Sequence, residues 1–137
     1  PTTGQATMSG ALLIGGQNIG TSLDLDNADV MGQIDVSVDF ASNEVDGIAS
    51  NFSIIDDGTD LDGELVLDAR IRRGSNVRFT GDLAGTLINA NNEVADLDFD
   101  IEGNFVGTRA AGLVGSGAGT ATVSGDVDNI GVAFAAD

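Results

Sequence analysis

Along most of the chain, apolar and polar residues alternate with a period of two. The pattern is clearest at Ile34, Val36, Val38 and Phe40, interleaved with Asp35, Ser37 and Asp39. It returns at Leu65, Leu67, Ala69 and Ile71, and again at Val77, Phe79, Gly81, Leu83, Gly85 and Leu87. Leu97, Phe99 and Ile101 alternate with Asp96, Asp98, Asp100 and Glu102, and Ile130, Val132 and Phe134 repeat the pattern near the end. A strand points successive side chains to opposite faces, so each run predicts a strand with one apolar and one wet face, as in an antiparallel sheet. Turn-forming clusters separate the runs: Ala41-Ser42-Asn43-Glu44, Asp56-Asp57-Gly58, Arg73-Gly74-Ser75-Asn76 and Asn89-Ala90-Asn91-Asn92. The predicted strands are 5–14, 19–26, 30–41, 45–55, 62–72, 77–88, 94–105, 117–125 and 129–136. Segment 107–114 breaks the alternation; short and alanine-rich, it predicts one helical turn.

Strand-and-turn units at this spacing predict an all-β fold, an antiparallel up-and-down β-barrel of about eight strands forming a single domain over residues 1–137. The only proline is Pro1, so no strand carries that breaker. Gly10, Gly32, Gly47, Gly81, Gly85, Gly103 and Gly119 fall inside predicted strands. A narrow barrel needs such relief where strands bend and inward side chains crowd.

Composition then narrows the chemistry. The chain has 137 residues and no Cys, His, Trp, Tyr or Lys. A disulfide framework, thiolate metal sites and imidazole chemistry are therefore absent. Serine and threonine have no histidine to activate them, and haem ligation would fall to Met8 or Met31, so haem binding is not expected. The 22 acids against five arginines give a formal charge of −17. That charge repels nucleic acids and anionic membrane surfaces and favours cations, basic partners and solubility. No apolar stretch approaches the roughly 18–20 residues of a membrane-spanning helix. The chain opens Pro-Thr-Thr-Gly without a visible signal peptide, a start that fits either removal of an initiator methionine or a boundary lying upstream.

The acidic segment Asp56-Asp57-Gly58-Thr59-Asp60-Leu61-Asp62-Gly63-Glu64 is the candidate metal site. Asp56, Asp57, Asp60, Asp62 and Glu64 supply the hard oxygen donors that Ca²⁺ takes, although Gly58 stands where an EF-hand loop would carry an acid. The alternative is a solvated loop that ends a strand. Asp24-Leu25-Asp26-Asn27-Ala28-Asp29 is a weaker version. Asp96, Asp98, Asp100 and Glu102 share one strand face; cross-strand pairing with Arg70, Arg72 or Arg78 is the expected role, with a cation-binding stripe or a glycosidase-like carboxylate pair as alternatives. Arg70, Arg72, Arg73 and Arg78 form the main basic cluster, expected to pair with the chain's own carboxylates. The glycine-rich segment Gly112–Gly119 lacks the lysine of a P-loop. No catalytic constellation emerges, and the chain is not expected to be an enzyme.

Three segments together resemble a known family. One is the hairpin running from Met31-Gly32-Gln33-Ile34 through Asp39-Phe40 and a polar turn to Val45-Asp46-Gly47-Ile48-Ala49. The second is Gly103-Asn104-Phe105-Val106-Gly107 followed by Ala110-Ala111-Gly112-Leu113-Val114-Gly115, and the third is the opening Thr2-Thr3-Gly4-Gln5-Ala6-Thr7-Met8-Ser9-Gly10. They are similar to the β-barrel domain of transferrin-binding-protein-B-like bacterial surface and secreted proteins. The resemblance covers most of the chain and implies an eight-stranded barrel with a short turn packed against its last strands. It implies function only broadly, because one fold hosts many roles. Relatives include host-protein receptors and haemophores. Within these 137 residues there is no cysteine to carry an anchor, no histidine for haem and no counterpart of the handle domain or aromatic-rich loops of the transferrin receptors, so those specialised roles are not expected of this segment.

Two roles fit. One is a binding module of a bacterial cell-surface or extracellular protein, contacting a protein or small ligand through loops at the barrel rim. The other is a subunit of a larger assembly, a phage capsid (hence a virion) or an extracellular filament, with the assembly lattice as its partner.

Overall fold

The computed structural model describes residues 4–16, 30–55, 58, 60–72, 78–88, 92, 94–107, 111–123 and 125–137. They form eight strands: β1 (Gln5–Gly16), β2 (Val30–Asp39), β3 (Glu44–Ile54), β4 (Asp60–Arg72), β5 (Arg78–Ile88), β6 (Val94–Val106), β7 (Gly112–Val123) and β8 (Asp126–Ala136). Each pairs antiparallel with its sequence neighbours, and β8 returns to β1, closing the barrel in simple up-and-down order. The closing seam places Leu12 opposite Phe134 and Ile14 opposite Val132.

The alternation turns directly into an inside and an outside. On β2, Ile34, Val36 and Val38 are buried, while Gln33, Asp35 and Ser37 are exposed. On β6, Leu97, Phe99 and Ile101 point in, and Asp96, Asp98, Asp100 and Glu102 point out. Phe52, Phe79 and Phe99 are the largest fully buried side chains, packed with Leu12, Ile34, Leu65, Leu67, Leu83 and Leu113. No polar or charged side chain is buried among the described residues. An eight-stranded barrel is just narrow enough for side chains to fill it, and here they do. At the end where β1 begins, Phe105 lies between Phe40 and Phe79, with ring centroids 5.4 and 5.6 Å away, and Phe134 stands 6.3 Å beyond Phe79.

The glycines inside strands make this filling possible. The Phe79 ring occupies the space that a side chain at Gly103 would need, the Phe134 ring does the same at Gly115, and the Phe52 ring at Gly32. Phe52 reaches that place through an irregularity. The register of β3 against β4 shifts between Ala49 and Phe52, and that of β2 against β3 shifts between Met31 and Gln33. Asn51 takes a left-handed backbone, φ 57°, inside this shift. Its side chain donates to Gln33 Oε1 at 2.7 Å. The extra residue changes the parity of the strand and re-aims Phe52 inward.

One expectation needs adjustment. The helical turn near 107–114 is not present at 112–114: these residues begin β7 as extended chain, and no helix occurs among the described residues. The inward positions of β7 are Leu113, Gly115, Gly117, Gly119 and Ala121, so the apolar–polar contrast that marks a strand fades. Residues 108–110, and the strand expected at 19–26, lie outside the described residues.

Candidate functional site

With the interior apolar and filled, the charged side chains of the described residues lie on the outer wall. This polarity is the reverse of a membrane-spanning barrel, whose lipid-facing wall is apolar. No helix among the described residues is long and apolar enough to cross a membrane.

Of the candidate Ca²⁺ ligands, Asp56 and Asp57 lie outside the described residues. Asp60, Asp62 and Glu64 follow one another on the outer face of β4, all exposed. They stand opposite Ser53, Ile88 and Thr86. At a period of two they are spaced about 6.6–7 Å apart along the strand, a row and not a cage. Among the described residues no group of three or more acids converges on a point where a metal ion would sit. Asp24, Asp26 and Asp29 lie outside the described residues.

The four acids of β6 are on one outward face, as expected, but their neighbours are not arginines. Across β5, Asp96 meets Thr86, Asp98 meets Ala84, Asp100 meets Asp82 and Glu102 meets Thr80; across β7 they meet Thr122, Thr120, Ala118 and Ser116. Strand β5 separates Arg70 and Arg72 from β6, and Arg78 stands opposite Asn104. The described arginines, Arg70, Arg72 and Arg78, instead gather near the end where β1 begins. Arg70 is opposite Glu44, and Arg72 is opposite Arg78 with its Nε donating to Thr80 Oγ1 at 3.0 Å.

The register reveals a feature that spacing along the chain conceals. Asp46 on β3, Asp68 on β4, Asp82 on β5 and Asp100 on β6 stand in direct succession across four neighbouring strands. Like charges directly opposite one another are destabilising. Loss of hydration, a hydrogen bond with Asp100, and the charges of Asp100, Asp98 and Asp68 together push the Asp82 carboxyl above its ordinary 3.8.

The adjacent row is apolar in the middle: Ile48 faces Val66 and Val66 faces Ala84, with Asp35 and Asp98 at the two ends. Ile48 and Val66 are about half exposed, at 47% and 52%. They form part of the lining of an open groove of about 720 Å³ that crosses the wall from β1 to β4, with Asp35, Asp46 and Asp68 on its sides. At its β1 side, Ser9 Oγ donates to Asp35 Oδ1 at 2.6 Å.

These observations define a class: a closed eight-stranded antiparallel barrel, apolar and filled inside, with an acidic wall. The model of a family described as the C-lobe and N-lobe beta barrels of Tf-binding protein B matches residues 1–137, and the chain belongs to that family. A comparison with curated proteins finds no match.

Proposed function

We propose that this chain is a non-enzymatic binding module of a bacterial surface or secreted protein, and that it engages a protein partner from outside the barrel through its rim loops. The observation that carries the reading is the filled interior. Phe52, Phe79, Phe99 and their aliphatic neighbours occupy the space in which a small ligand would sit, and among the described residues no buried polar side chain is there to orient one. Recognition then falls to the rim and the wall. The family match supports a protein as the partner, since the protein that names the family binds Tf. The missing histidine and cysteine support a role without catalysis. The reading of an assembly or virion subunit draws no support from the family.

The test is biolayer interferometry with the domain immobilised and purified transferrin in solution, run beside fractionated extracellular proteins. Saturable binding is expected, lost when residues 17–29 are replaced by a glycine–serine linker of equal length in a barrel that still melts cooperatively. Saturable binding unaffected by replacement of the connections at either rim overturns the rim assignment, and no saturable binding to any extracellular protein overturns the module.

A further inference from the structure

We infer that the outer wall of β2–β6 is a docking surface for a basic, partly aliphatic segment of a protein partner, whose Lys or Arg stems lie along Ile48, Val66 and Ala84 and whose cations meet the surrounding aspartates. The inference rests on the protein-binding reading above and adds a second surface to it, away from the rim.

The geometry is specific. Ile48, Val66 and Ala84 are register partners on three successive strands, so they form a bar running across the strands, about 10 Å long at the usual strand spacing. Isolated exposed aliphatic residues on a sheet need no explanation, but a contiguous bar bounded by a partial ring of like charge, along one flank and at both ends, is a different object. Asp46, Asp68 and Asp82 form its flank, two residues along each strand, and Asp35 and Asp98 close its ends. The open groove beside Ile48 and Val66 gives a side chain room to lie down.

Charge complementarity selects the occupant. An acidic or neutral apolar partner would desolvate this ring without compensating it. Lysine and arginine combine the two properties the wall offers: an aliphatic stem for the bar and a cationic head for the aspartates along its flank and at its ends. A cation placed there also offsets the repulsion built into the Asp46–Asp68–Asp82–Asp100 succession, which has no arginine among its register partners in the described residues. Arg70 is the nearest of the described arginines, one outward position along β4 beyond Asp68, and it stands opposite Glu44.

The test uses a fluorescein-labelled peptide of alternating arginine and valine, with alternating arginine–glycine and glutamate–valine peptides for comparison, read by fluorescence anisotropy. Wild-type protein is expected to bind the arginine–valine peptide saturably, the arginine–glycine peptide about tenfold more weakly, and the glutamate–valine peptide not at all. Ile48→Ser with Val66→Ser, and separately Asp46→Asn with Asp68→Asn, are each expected to weaken arginine–valine binding about tenfold. Glu44→Gln with Glu102→Gln removes the same charge outside the ring and is expected to leave it within about twofold. Far-UV circular dichroism checks folding, and Ile48→Thr with Val66→Thr repeats the apolar test with β-branched shape retained. Binding by the serine and threonine variants equal to that of the wild type, or a loss in the Glu44/Glu102 variant equal to that in the Asp46/Asp68 variant, overturns the inference, because diffuse charge then explains the affinity. If the wall variants bind normally while rim replacement still abolishes protein binding, the wall proposal fails and the binding-module reading stands.

Discussion

Asp82 and Asp100 face each other across β5 and β6, and a hydrogen bond between their carboxyl groups helps hold the Asp82 proton. Asp68 on β4 and Asp98 on β6 add their charge to the same proton. The folded-state value therefore lies above that of the unfolded chain. The stability contributed by the bound proton is complete below the ordinary carboxylate range and is lost as the pH rises through the folded value. Differential scanning calorimetry from acidic to neutral pH is expected to show Asp82→Asn melting above the wild type at neutral pH, with the difference closing in acid. A difference that is constant with pH contradicts the shared proton.

Asp39 titrates in the other direction. Gln5 Nε2 donates to its carboxylate at 3.3 Å, and the backbone N–H groups of Ser42 and Ala41 donate at 3.2 and 3.0 Å, ordering the turn between β2 and β3. These bonds, the Gln5 contact foremost, hold its carboxyl below the ordinary 3.8. Its contribution is present above the unfolded value and is lost as the pH falls through the folded one. Asp39→Ala is expected to lower the melting temperature at neutral pH and to have little effect below the folded value, as read by thermal melts across that range.

Gly115 and Phe134 are register partners, and the Phe134 ring covers the α-carbon of the glycine. Gly115→Ala is expected to destabilise by about 1–3 kcal/mol through overpacking. The same change in a Phe134→Leu background is expected to cost less, because the smaller side chain vacates the contested space. Urea unfolding of the four proteins gives the coupling, and strictly additive effects would contradict the packing.

Phe99 is fully buried. Phe99→Ala is expected to cost about 3–5 kcal/mol, a large share of the roughly 5–15 kcal/mol that holds a domain together. Chemical denaturation measures it directly. A cost below about 1 kcal/mol would mean that the barrel interior is not packed as described.

Strands β2, β4 and β6 were legible from alternation alone, because their inward positions carry large aliphatic or aromatic residues and their outward ones carry acids. Strand β7 was partly hidden: Gly115, Gly117 and Gly119 occupy its inward positions, and the reasons for them, the Phe134 ring at Gly115 and the β6 backbone at Gly117 and Gly119, lie elsewhere in the chain. The shift at Asn51 was also illegible, since a single extra residue leaves no compositional mark. For the candidate site, the period of two showed which acids share a face but not what stands across from them. That depends on register, which the connections and the bulges set together. Hence the arginines expected opposite Asp96, Asp98, Asp100 and Glu102 are elsewhere, and the aspartate succession from Asp46 to Asp100 became visible only when the strands were aligned.

The pairing of β8 with β1 has a further consequence. An open sheet ends in unpaired N–H and C=O groups, and such an edge can capture another chain by extending the ladder, with little regard for its sequence. This barrel has no such edge along its closing seam. A partner is left with side chains to recognise, so affinity and selectivity for this molecule are encoded in residue identity and can change one outward position at a time without disturbing the inward residue beside it.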